Sequence, residues 1–156
     1  MTILLFAVLA SAEICAAPLK GGVGDPQFCR VERAQEIETP FFTVVVEPEL
    51  LVGVDREGRR LRVQPTLLKE AAQFTIEVFD GTDLPQWPDC TEITETPVNL
   101  VTWHDCRVVS KGFYGRRLAA RLESKHVLIE YRYGPEGTTL SPALERMTQS
   151  VRVRAN

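Results

Sequence analysis

Phe74-Thr75-Ile76-Glu77-Val78-Phe79 alternates apolar and polar side chains, with Phe74, Ile76 and Val78 on one side. A period of two is the signature of a half-buried β-strand. Two longer stretches extend the pattern. Arg117-Leu-Ala-Ala-Arg-Leu-Glu123 and His126-Val-Leu-Ile-Glu-Tyr-Arg-Tyr133 read as a hairpin across Ser124-Lys125, and in its second arm Val127, Ile129, Tyr131 and Tyr133 share a face. Upstream, Phe41-Phe-Thr-Val-Val-Val46 is β-branched and aromatic, and Pro48 ends it. Leu50–Asp55 and Arg60–Gln64 form another hairpin across residues 56–59, with Leu61 and Val63 on one side and Arg60, Arg62 and Gln64 on the other. Pro97–His104 and Arg107–Val109 add extended segments, and Lys111–Gly115 reads as a turn carrying aromatics.

Helical signals are fewer. Ser141-Pro-Ala-Leu-Glu-Arg-Met-Thr-Gln149 has a capping residue, a proline at its first helical position, and Leu144 and Met147 on one face. Pro65–Gln73 and Arg30–Glu38 are shorter candidates. Short helices among hairpin-connected strands predict an α+β domain: a mainly antiparallel β-sheet with a C-terminal helix and one or two short helices packed on it.

The order of these elements resembles a known family. An extended segment, Val46-Glu-Pro-Glu49, a hairpin, a short helix, a strand, a loop, a long hairpin and a C-terminal helix precede the close Leu144-Glu-Arg-Met-Thr-Gln-Ser-Val-Arg-Val153. Over about residues 40–154 this is similar to the PsbP-like/DcrB-like fold of small exported proteins. The resemblance implies an α+β domain and, since members are mostly adaptors and envelope proteins, a function without catalysis. Immunity proteins that neutralise secreted antibacterial toxins are also small exported α+β domains, an analogy that bears on fold alone.

The 156 residues accommodate one domain and a leader. Met1–Ala12 is short and apolar, followed by small residues at Ala10-Ser-Ala12 and Cys15-Ala-Ala17, which reads as a secretory signal peptide over 1–17 that lacks a basic start. Residues 18–40 read as a flexible segment and 41–156 as the domain. No apolar run has the ~20 residues of a membrane span. Export, to a bacterial periplasm, brings an oxidising compartment in which cysteines pair. Cys90 with Cys106 would staple the chain behind a loop; Cys29 with either remains an alternative, and Cys29 with Cys15 follows if cleavage falls after Ala12.

Charge is unevenly placed. The net is −3, yet residues 18–106 carry 16 acidic and 8 basic groups, while residues 107–156 carry 4 acidic and 10 basic. Either the halves pair with each other, or the acidic half recruits a basic partner by steering. From Glu70 to Cys106 there is no Lys or Arg. Within it, Asp80-Gly-Thr-Asp-Leu-Pro-Gln-Trp-Pro-Asp-Cys-Thr-Glu92 reads as a stiff acidic loop, and Trp87 between Pro85 and Pro88 has the composition of an interface anchor. Asp80, Asp83, Trp87, Asp89 and Glu92 are the expected partner-binding residues. The expected partner is a protein with a basic surface or cleft, most concretely a toxin or hydrolase of the envelope that the domain inhibits; an envelope adaptor is the alternative, and a small enzyme using His104 and Cys106 the second. With a negative overall charge and an export signal, nucleic acid is a poor partner and none is expected.

Chemical candidates are sparse. Trp103-His104-Asp105-Cys106 offers a Cys–His pair, since His104 and Cys106 face one way on a strand. Zinc would need Cys90, His104, Cys106 and a fourth ligand. No cofactor is expected; calcium among Asp80, Asp83, Asp89 and Glu92 is chemically reasonable, but the spacing is no EF-hand. Arg116, Arg117 and Arg121 read as a solvated basic face, and His126 as a surface histidine. Neither a phosphate-binding glycine loop nor a Gly-x-Ser-x-Gly elbow is present.

Overall fold

A computed structural model describes residues 18–19, 28–65, 72–90, 92–110 and 112–154. The expected leader, and residues 66–71 of the expected helix at Pro65–Gln73, lie outside the described residues. Among the described residues there are twelve strands: β1 (Pro18–Leu19), β2 (Phe28–Arg30), β3 (Gln35–Glu38), β4 (Phe42–Val46), β5 (Leu50–Val54), β6 (Arg60–Pro65), β7 (Ala72–Asp80), β8 (Thr94–Val98), β9 (Val101–Ser110), β10 (Phe113–Arg121), β11 (Lys125–Tyr133) and β12 (Arg152–Val153). One helix, α1 (Ser141–Ser150), follows directly on a 3₁₀ helix over Pro135–Leu140. The architecture is α+β, with a large sheet and little helix.

Nine strands form one sheet in the order β1-β2-β5-β6-β7-β11-β10-β9-β8, and β12-β4-β3 form a second. Every pairing is antiparallel. Register follows the alternation in the sequence: Ile76 pairs with Ile129, which pairs with Leu118, and all three are fully buried. Phe42, Val44 and Val46 of the smaller sheet and Leu144, Met147 and Val151 at the helix enter the same core. Thus the small sheet and α1 cover one face of the large sheet, where each buried aliphatic contributes about 1.5–3 kcal/mol.

Three expectations are corrected. Arg30–Glu38 is not helical: it supplies β2 and β3, because the alternation around the buried Ile37 outweighs weak helical spacing. The sheets therefore begin at least thirteen residues before Phe41, at Phe28 and earlier, within the segment read as a flexible lead. Pro97–His104 is not one strand. It is the β8–β9 hairpin, closed by Asn99 and Leu100 at φ 48° and 68°. Two successive positive φ values make the turn that suits a twisted hairpin. At α1 the cap position falls on Leu140, with no side-chain cap hydrogen bond, and the expected cap Ser141 is the first helical residue, because the 3₁₀ helix already supplies the preceding turn.

The Asn99 turn also braces α1. Asn99 Nδ2 donates to Gln149 O at 2.9 Å and to Val151 O at 2.6 Å, satisfying carbonyls at the helix end. Asn99→Gly keeps the backbone conformation but loses both bonds; Asn99→Ala also strains the turn. We expect Asn99→Gly to cost about 1–2 kcal/mol and Asn99→Ala more, measured by urea denaturation.

Candidate functional site

Strand alternation divides the large sheet into an inner face under α1 and an outer face. Trp103, Asp105 and Arg107 of β9 point inward; His104 and Cys106 point outward. Cys106 is joined to Cys90 in a disulfide with Cα atoms 6.1 Å apart. Cys29 is disulfide-bonded too, so the described residues include no free thiol. Cys106 and Cys90 are thus unavailable as nucleophile or zinc ligands, and the Cys–His reading of His104 and Cys106 falls. Among the described residues no three His, Cys, Asp or Glu side chains converge as metal ligands.

The disulfide lays the acidic loop over the outer face. Asp89 accepts two hydrogen bonds from Arg117 Nη1, at 2.7 and 2.8 Å, and Arg117 Nε donates to Glu130 at 2.9 Å. Cys106 and Ala119 are fully buried on that face. Of the expected binding residues, Asp80 ends β7 and pairs with Arg59 at 3.1 Å. Asp83 and Glu92 are exposed and form no ion pair with a described residue, while Trp87 is half-buried. The structure thus brings Asp80 and Asp89 onto internal cations and leaves Asp83 and Glu92 presented.

The other tryptophan has a different fate. Trp103 is fully buried, its indole Nε1 3.4 Å from Val98 O. His126, at the far end of the sheet, donates from Nδ1 to Gly81 O at 2.9 Å and stacks on Phe79 with centroids 5.0 Å apart. It fixes where the loop leaves β7.

Arg116 corrects the reading of a solvated basic face. It is 7% exposed. Its Nε and Nη2 donate to Asp105 at 3.0 and 2.7 Å, and its Nη1 donates to Glu145 of α1 at 2.7 Å. Tyr131 donates a hydrogen bond to the other oxygen of Glu145, and Thr96 donates to Asp105 at 3.1 Å. Burial pushes the Asp105 carboxyl up, but the bonds and charge of Arg116 overcome this and hold it below the ordinary carboxylate value. Burial and then the bond to Glu145 drive the Tyr131 hydroxyl far above the usual phenol range. Sequence alone carried a signal for this network. Arg116 is in phase with Leu118 and Ala120, so it faces inward.

An open cleft of about 300 Å³ lies beside the loop, bounded by Asp89, Val108, Phe113, Arg117, Glu130 and Arg132, with Gly115 in its lining. A Cβ at Gly115 would lie 3.0 Å from Tyr131 O, so a side chain there would push against the neighbouring backbone.

No protein-family model matches the chain, and no curated protein sequence does. Solved structures do. The solution structure of cyanobacterial PsbP (CyanoP) from Synechocystis superposes with a TM-score of 0.56 at 6% identity, covering 87% of this chain and 98% of that one. The fold is PsbP-like. A crystal structure from Bacteroides thetaiotaomicron superposes with a TM-score of 0.52 at 9% identity, covering 80% of this chain but only 49% of that one. At such identities the likeness speaks for fold alone. This PsbP-like chain has no described helix long and apolar enough to cross a membrane.

Two outcomes are expected. Reduction of the disulfide reopens a loop spanning 16 residues and should cost about 3 kcal/mol, read as a lower urea midpoint with proteolysis appearing between Gly81 and Cys90. For Asp105, whose folded pKa lies below 3.8, the stabilisation is full above the unfolded value and is lost as pH falls through the folded one. Denaturation midpoints should therefore drop below about pH 4, and Asp105→Asn should lower the neutral-pH midpoint while flattening that drop.

Proposed function

We propose that this chain is an exported, non-enzymatic protein-binding domain that holds a partner with a basic surface through the loop from Asp80 to Glu92. The observation that carries the reading is the tethering of that loop. Its described residues after Asp80 have no regular secondary structure, yet the disulfide and the Asp89–Arg117 pair fix it while Asp83 and Glu92 stay exposed. A loop ordered in advance loses little entropy on binding, and long loops of this kind are more often functional than scaffolding. Trp87 between two prolines is the candidate anchor. Disulfides favour an oxidising compartment, which supports export and is compatible with a periplasmic site.

The finer form of the proposal is an inhibitor or immunity protein. Its loop carboxylates would enter a basic cleft of an envelope-acting toxin or hydrolase in place of an anionic substrate. An adaptor for a resident envelope complex would use the same loop without blocking an activity.

The test is a pull-down from envelope extract with the parent protein beside Asp83→Ala/Trp87→Ala/Glu92→Ala, at low and high salt. A single partner should be retained by the parent, lost at least about tenfold by the variant, and weakened by salt. Inhibition of that partner's activity separates inhibitor from adaptor. Equal recovery by parent and variant would remove the loop from consideration.

A further inference from the structure

On the outer face of the large sheet, side chains stand back around Gly115. It pairs with Val108 on β9 and with Arg132 on β11, and Phe113 and Arg117, two residues away on its own strand, point the same way. Four side chains therefore surround a position that has none, and the floor between them is bare backbone. Asp89 of the tethered loop and Glu130 complete the rim. The cleft so formed, about 300 Å³, is at the lower end of the range for small-molecule sites.

Its two long sides differ in character. At one end the Phe113 ring lies over Gly134, where a Cβ would come within 3.3 Å of ring atom Cε1, so the missing side chain leaves the ring its seat. Val108 continues that apolar surface along β9. The β11 side is charged. Arg117 is taken up by both oxygens of Asp89 and by Oε2 of Glu130. One guanidinium thus answers two carboxylates, and Glu130 Oε1 has no donor among the described residues. Arg132 has no ion pair among them: its Nη2 donates to Gln73 Oε1 at 3.3 Å, and its other nitrogens stay open. A spare acceptor and spare donors therefore stand two residues apart on one face of β11, about 7 Å along the strand.

That pattern selects its ligand. A simple anion would meet the excess carboxylate, and a simple cation would meet Arg132. A ligand with both charges on one carbon bridges the gap with a charge-assisted hydrogen bond at each end. Its body then lies over the flat floor toward Val108 and Phe113, where an aromatic ring packs against the Phe113 ring.

We propose that the cleft binds a free aromatic amino acid, with its carboxylate on Arg132, its ammonium on Glu130 Oε1 and its ring on Phe113 and Val108. The site needs no protein partner, so it stands independently of the reading given to the acidic loop.

An NMR titration of the full chain tests this with three probes: phenylalanine, hydrocinnamate, which lacks the ammonium, and phenethylamine, which lacks the carboxylate. Phenylalanine should shift the Gly115 and Arg132 amides saturably, and each analogue should bind at least about tenfold more weakly. Arg132→Gln should weaken phenylalanine by a similar factor, while Arg121→Gln, at an exposed cation further along β10, should bind like the parent. The analogues probe the unaltered protein, so the test holds even where a variant misfolds. No saturable shift at millimolar phenylalanine overturns the proposal. So does hydrocinnamate binding as tightly as phenylalanine, or Arg132→Gln keeping the parent's affinity.

Discussion

Arg116 must keep its charge in a place with almost no water, and much of the molecule follows from that requirement. A guanidinium so enclosed needs carboxylates in good geometry, or burial would cost several kcal/mol. Asp105 on the adjacent strand meets two of its nitrogens and Glu145 on α1 meets the third. The helix is thereby held in one rotation and one axial position over the sheet. Tyr131 closes the remaining side of Glu145, so each member of the cluster positions the next. Removing Arg116 or Asp105 leaves the other's buried charge without its main partner, which costs more than replacing the pair together.

The charge asymmetry of the sequence is largely answered by folding. Arg116 with Asp105, Arg117 with Asp89, Arg146 with Glu47 and Arg154 with Glu38 all join the basic half to the acidic half. The half that seemed an electrostatic bait uses part of its charge to hold its own chain together. Of the carboxylates on the tethered loop, Asp83 and Glu92 remain available.

The strands were legible wherever one face is buried. Phe74, Ile76 and Val78, or Leu61 and Val63, announce themselves because alternation is forced by the pleat. The PsbP-like order of elements was legible for the same reason. Elements stabilised by distant partners were not. Residues 30–38 look weakly helical alone and become strands because β4 and β5 wait beside them. The turn at Asn99-Leu100 hides because leucine is an unusual residue at positive φ, tolerated here where it points entirely into solvent. In the candidate site, cysteine spacing pointed to the loop's staple, but nothing local revealed that Asp89 would fold back on Arg117.

The small sheet has a further consequence for how the chain reaches its native state. Strand β4 receives its outer partner from β12, and Arg154 reaches back to Glu38, 116 positions earlier. Neither contact can exist until residues 152–154 have been made. The early strands must wait with an open edge, so the folding rate is governed by long-range pairing and is expected to be slow for a domain of this size.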